Sequence, residues 1–171
     1  TPGTFLNGKV HIGSKTFSAG RINEEGATLL ARSLKDNGFR LMSFKTGTPP
    51  RLDGETIDFQ HLTRQESDDP PLPFSFATAK IPLEQKLLPC YITTTNEKTH
   101  DIIRANLHLS PMYSGKIQST GVRYCPSIED KLVKFASKQQ HHVFLEPEGL
   151  DTNLYYPNGI STGLPADVRS E

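Results

Sequence analysis

The sequence is poor in the residues that staple or metallate a small protein. It has two cysteines in 171 residues, no tryptophan and two methionines. No CxxC or HxxxH spacing occurs, and His141-His142 stands apart from any other candidate ligand, so a zinc site is not expected and no metal is assigned. Long apolar runs are absent, and so is a charged-then-apolar leader. The chain is therefore expected to be cytoplasmic, with reduced thiols and no membrane span. No excess charge of either sign exists, 19 basic residues facing 19 acidic, so an overall field cannot recruit nucleic acid. Neither a Walker A loop nor a glycine-rich dinucleotide fingerprint is present.

What is present is unevenly placed. From Leu52 to Pro70 there are six acidic residues against Arg64 alone, whereas from His100 to Gln140 there are six basic ones against three acidic. The basic half contains Arg123-Tyr124-Cys125-Pro126-Ser127-Ile128-Glu129-Asp130-Lys131. Ser127 followed by Asp130, ahead of Ile128, Leu132 and Phe135, has the spacing of a capped helix start, predicted to run to about Gln139. Cys125 falls just outside it, with Arg123 before and Lys131 after, in a field that favours the thiolate. Lone cysteines are also among the most often buried residues, so the local pattern leaves packing and chemistry both open. Lys131, Lys134 and Lys138 form a stripe that suits either plain solvation or phosphate contacts.

Elsewhere the periodicity predicts a strand over Lys9 to Phe17, a helix over Glu24 to Asn37 stopped by Gly38, and a strand over Phe39 to Phe44. Lys45-Thr46-Gly47-Thr48-Pro49-Pro50-Arg51 is a stiff loop presenting Lys45, Thr46, Thr48 and Arg51, which suits an anion or nucleotide or serves only as a turn. A short strand over Thr56 to Phe59, a helical turn over His61 to Glu66 and a short strand at Phe74 to Phe76 follow. Pro89 to Thr95 is β-branched and aromatic, and Asn96 caps the next helix with its Ile102, Ile103 and Leu107 stripe. The polar corner holding Asn96 suits either a solvated cap or a site. His142 to Glu148 and Leu154 to Tyr156 read as strands and Pro157-Asn158-Gly159 as a turn. Together these give an α+β fold with a largely antiparallel sheet and about three helices.

Eight blocks carry a resemblance: Thr4-Phe5-Leu6, KTGTPPR (45–51), TIDF (56–59), CYIT (90–93) with TNEKTH (95–100), SPMY (110–113), RYCPSIEDK (123–131), FLEPEGL (144–150) and YPNGIST (156–162). In this order they resemble the middle of the MnmG/GidA family, the flavoprotein subunit of an enzyme that modifies the wobble uridine of certain tRNAs. The resemblance implies that 1–8 ends a strand of an FAD-binding Rossmann-type domain, that 9–159 is an insertion domain beside the tRNA path, and that 160–171 returns to the FAD domain. It implies FAD and NADH as cofactors and methylenetetrahydrofolate as the carbon source. It also implies tRNA and the MnmE GTPase as partners, the parent being a homodimer within a heterotetramer.

By the same resemblance Cys125 is the catalytic residue, adding to the pyrimidine or supplying a proton. Arg123 and Lys131 contact tRNA, with Lys134 and Lys138 on the same stripe; loop rigidity and the resemblance together turn Lys45, Thr48 and Arg51 towards the cofactors, and Asn96, in its polar corner, is the further cofactor-side candidate. Cys90 is read as packing. Pro2 departs from the family pattern. The segment alone is expected to be inactive. The alternative is a non-catalytic module that binds RNA or a partner protein, and a stand-alone thiol hydrolase is remote because no His–Asp pair is placed near Cys125.

Overall fold

The computed structural model describes residues 3–21, 23–79, 81, 87–117, 119–121 and 126–170. In chain order its regular elements are β1 (Lys9–Ile12), β2 (Lys15–Ser18), α1 (Thr28–Asp36), β3 (Phe44–Lys45), β4 (Leu52–Asp53), β5 (Thr63–Gln65) and β6 (Cys90–Thr94). After these come α2 (Glu97–Asn106), β7 (Thr120–Gly121), α3 (Ile128–Lys134), β8 (His142–Pro147), β9 (Leu154–Asn158) and α4 (Ala166–Ser170). The chain forms two compact units, the first from Thr1–Thr48, Asn96–Gln139 and Ser161–Glu171, the second from Pro49–Thr95 and Gln140–Ile160.

In the first unit the expected strand over Lys9 to Phe17 is a hairpin, Lys9 pairing with Ser18 and Ile12 with Lys15. Gly13 turns it at φ +53°, and a Cβ there would stand 2.7 Å from Pro165 Cγ, so the position requires glycine on two counts. The Gly13 N–H donates to Gly163 O at 2.8 Å, tying the hairpin to the last segment.

Helix α1 starts at Thr28 rather than Glu24, because Glu24 and Glu25 sit in a turn closed by Gly20 N–H donating to Glu24 O. It ends as expected at Gly38 (φ +81°), with Gly38 N–H donating to Lys35 O and Phe39 N–H to Leu34 O, the paired bonds of a Schellman stop. Its predicted apolar face is not covered: Leu29 is 76% exposed and only Ala31 is buried. The strand expected over Phe39 to Phe44 shrinks to Phe44–Lys45, which pairs in parallel with β7. Gly3–Phe5 is a 3-10 turn rather than a strand end, since Gly3 and Asn7 both adopt positive φ and break the extended path.

The second unit is a five-stranded antiparallel sheet of order β4-β9-β8-β6-β5. β8 lies at its centre, with Val143 and Leu145 buried, and Phe59 packs its ring 4.5 Å from Tyr91 and 5.2 Å from Tyr155. β9 continues through the expected turn: Pro157 opposes Leu145 beyond the end of β4, where the sheet tolerates a residue with no N–H.

Two expectations are reversed between residues 54 and 66. Gly54–Thr56 and Phe59–His61 are 3-10 turns, because the Asp53 and Asp58 carboxylates accept from Glu55 N–H and Gln60 N–H and curl the backbone. Thr63–Gln65 is a strand because it pairs with Cys90–Ile92. Phe74 to Phe76 is not a strand either, for no described neighbour pairs with it. The result is α+β, with the main sheet antiparallel as expected and four helices among the described residues. No described helix is long and apolar enough to cross a membrane, and among the described residues no His/Cys/Asp/Glu group could hold a metal.

Candidate functional site

Helix α3 starts where the sequence places it. Ser127 is the N-cap, its Oγ accepting from Asp130 N–H at 3.3 Å, and Ile128 N–H donates to Ser161 O at 2.8 Å. The apolar residues Ile128 and Leu132 are 2% and 3% exposed. Between them the adjacent acids Glu129 and Asp130 are buried as well, at 1% and 4%. Charged side chains are rarely buried so fully unless partners surround them.

Those partners come from three loops of the same unit. Glu129 Oε1 accepts from Ser110 Oγ, Thr162 Oγ1 and Gly163 N–H, each at 3.1 Å. Glu129 Oε2 is buried without a hydrogen bond. Asp130 Oδ1 accepts from Tyr113 OH at 3.2 Å, and Oδ2 faces Lys45 Nζ at 3.6 Å and Ser127 Oγ at 3.4 Å. The Lys45 ammonium is itself buried and makes no hydrogen bond. Its counter-charge is Asp130, at ion-pair rather than hydrogen-bond distance.

The approach of the loops depends on small residues. A Cβ on Gly47 would lie 3.2 Å from Ser161 Cβ, and one on Gly163 would lie 3.1 Å from Pro111 Cδ. The start of α3 is thus the knot joining residues 45–48, 110–113 and 161–163. The Tyr113 phenol is pushed up to about 12, first by desolvation and then by the Asp130 and Glu129 carboxylates. Tyr113 as a whole is 38% exposed, and its hydroxyl donates to Asp130 Oδ1. Nearby in the chain, His100 on α2 is 1% exposed, and burial, with the Arg104 charge, lowers its pKa and favours the neutral ring.

A family model described as "Glucose inhibited division protein A" matches residues 1–171. The chain belongs to the GidA family. Over 169 residues it is 58% identical to the "tRNA uridine 5-carboxymethylaminomethyl modification enzyme MnmG" of Thermodesulfovibrio yellowstonii and 53% identical to that of Geobacter sulfurreducens. Each match covers 99% of this chain and 27% of the relative, so the chain spans about a quarter of the length of these curated relatives. The structure of Aquifex aeolicus GidA (form I crystal) superposes with a TM-score of 0.83 at 50% identity, over 99% of this chain and 29% of that one.

In this GidA-family chain the sequence-predicted residues divide. Cys125 and Arg123 lie outside the described residues. Lys131 is half-buried on α3. Lys134 is exposed, with Nζ 3.8 Å from Asp130 Oδ1. Lys138 is not on the helix, which ends at Lys134 instead of Gln139: Phe135 leaves helical geometry at ψ 46° and is 51% exposed, so no buried contact holds a further turn. Lys45 faces Asp130, and Thr48 is exposed, its carbonyl accepting from Thr162 N–H at 3.5 Å. Arg51 belongs to the second unit, where it pairs with Glu148, donates to Pro49 O at 3.0 Å and lies 4.4 Å from the Tyr156 ring. Asn96 is the N-cap of α2, accepting from Thr99 N–H at 2.9 Å. Cys90 is half-buried in β6, its pKa raised by burial and by Glu146, as befits a packing thiol.

Of the four residues expected towards FAD and NADH, Lys45, Arg51 and Asn96 have side chains engaged within their own units, and Thr48 is exposed. The sequence reading missed Glu129 and its three donors. The available signal was two adjacent acids inside the apolar Ile128–Leu132 face.

Proposed function

We propose that this chain is an internal segment of an enzyme that modifies the wobble uridine of tRNA. In this reading it carries the reacting thiol, Cys125, and a tRNA-contacting basic face comprising Arg123, Lys131, Lys134 and Lys138. The single observation carrying the reading is the identity of 58% to a relative named as a tRNA uridine modification enzyme, with RYCPSIEDK leading directly into the buried knot. The knot supports a site function because it fixes where α3 begins, three residues after Cys125, by hydrogen bonds from two loops and the Lys45 ion pair from a third.

The parent is proposed to use FAD, reduced by NADH, with methylenetetrahydrofolate as carbon donor and MnmE as GTPase partner, in a homodimer within a heterotetramer. When bound, the flavin supplies the reducing equivalents. In the proposal residues 9–159 are an insertion domain of the parent, flanked by pieces of its FAD domain. This segment's own contributions are to bind tRNA phosphates through the lysines that project from and follow α3, and to present the Cys125 thiol to the uridine.

The test is Cys125→Ser in the full-length protein, with modified wobble nucleosides quantified from cellular tRNA by mass spectrometry and flavin content read by absorbance. Loss of the modification with flavin retained is expected. Normal modification would remove Cys125 from the chemistry and leave the segment as a module that binds RNA or a partner.

A further inference from the structure

The balanced charge of the whole chain hides a division between its two units. The first holds fifteen basic and nine acidic residues, the second four basic and ten acidic. Two of those nine acids, Glu129 and Asp130, are buried in the knot. The excess is sharpest at the start, where Thr1 to Asn23 contain Lys9, Lys15 and Arg21 and no acid.

The hairpin of β1 and β2 gathers part of this charge on one face. Its register sets Lys9 opposite Ser18 and His11 opposite Thr16, and alternation places Val10, Ile12, Phe17 and Lys15 on the other face. Thr16 Oγ1 lies 3.1 Å from His11 Nδ1. Lys116, from the segment between α2 and β7, donates from Nζ to Ser14 O at 3.2 Å and so sits at the hairpin turn. Burial lowers the His11 pKa, and the Lys9 and Lys116 charges lower it further, so both ammonium groups act on one ring. Lys9 and Lys116 are exposed, and among the described residues neither has a carboxylate within ion-pair distance.

We propose that this face is a second phosphate-binding subsite for tRNA, in which Lys9 and Lys116 contact backbone phosphates beside the His11 ring. The proposal rests on the tRNA reading above and adds a surface separate in sequence from the α3 lysines. A cationic face differs from an apolar one in needing no cover from the rest of the polypeptide. Solvated ammonium groups are stable as they stand, and desolvating them without carboxylates is unfavourable. A polyanion supplies the missing charge and gains the release of its own counter-ions. The acidic excess of the second unit disfavours the same ligand there.

The experiment titrates the full-length protein with two tRNAs, one with a wobble uridine and one without, over a series of salt concentrations. For Lys9→Gln/Lys116→Gln the salt slope should fall by about 2 and the affinity by roughly tenfold or more. The loss should be equal for the two tRNAs, because phosphate contacts carry no sequence information. Lys15→Gln removes a charge from the opposite face and should keep the wild-type slope. Lys9→Arg/Lys116→Arg should bind as the wild type does, which separates a lost phosphate contact from a disturbed turn at Ser14. Wild-type binding with an unchanged double glutamine variant would overturn the subsite alone, as would an equal loss in Lys15→Gln or in the arginine variant. A wild type that binds neither tRNA would overturn the tRNA reading and the subsite together.

Discussion

Replacing Glu129 tests whether the start of α3 is the anchor of its unit. In Glu129→Ala the Ser110 and Thr162 hydroxyls and the Gly163 N–H lose their common acceptor in a site that is 1% exposed. Each buried donor left unpaired costs about 1–3 kcal/mol. Donors that share one acceptor are not additive, since hydroxyls can rotate to other oxygens, so roughly 3–5 kcal/mol is expected for breaking a buried charged network. That is a large fraction of the ~5–15 kcal/mol that holds a typical domain together. Glu129→Gln keeps an oxygen for the three donors but places an amide NH₂ where Oε2 has no partner, and about 1–3 kcal/mol is expected. The assay is urea unfolding followed by circular dichroism. With slopes of about 1–3 kcal/mol per molar, the alanine midpoint should drop by about 1 M or more and the glutamine midpoint by less. A double-mutant cycle with Thr162→Val should show coupling of at least ~0.5 kcal/mol. The reasoning is refuted if alanine lies within ~0.5 kcal/mol of the wild type, or if glutamine is worse than alanine.

Further outcomes follow from single contacts. In Asp130→Asn the Tyr113 phenol should titrate between about 12 and its ordinary 10, part of the shift persisting because desolvation is the larger cause; absorbance titration against a Tyr113→Phe control reads it, and an unmoved phenol would show that Asp130 does not act on it. Because burial lowers the His100 pKa, the unfolded chain binds that proton first as pH falls. The His100 contribution is then complete above about 6.5 and is lost as pH drops below it, so a melting curve series from neutral to acid should fall less steeply in His100→Gln. Equal slopes would count against a buried neutral ring. Gly13→Ala combines φ +53° with a Cβ 2.7 Å from Pro165 Cγ and should cost about 1–3 kcal/mol in the same urea assay, whereas a neutral result would mean that residues 13 and 165 do not meet.

The three sheet strands near residues 90, 142 and 154 and the capped helix α2 were legible because their signals are local: alternation, β-branching and an Asn cap. Residues 54–66 were misread because short-range carboxylate bonds and pairing with distant Cys90–Ile92 overrode a weak pattern. The Ser127–Asp130 start was legible for the same reason α2 was. The convergence on Glu129 was not, since its donors lie 19, 33 and 34 positions away along the chain. A pair of acids buried in an apolar helix face is visible in a sequence only as an anomaly of pattern.

The interleaving of the two units has a consequence for synthesis. The chain enters the second unit after Thr48, leaves at Asn96, re-enters after Gln139 and leaves again at Ser161. On the ribosome β6 emerges with β5 as its partner, but its other neighbour, β8, is made only after the whole of α2 and α3. At about 5–20 residues per second the edge of β6 stays open for several seconds. The first unit waits longer still, because Ser161, Thr162 and Gly163, which close the knot at the start of α3, are made only after the last strand of the second unit. The second unit has all its strands once Ile160 is made, so a truncation after Ile160 should leave that sheet whole and the first unit without the segment that ties its loops together.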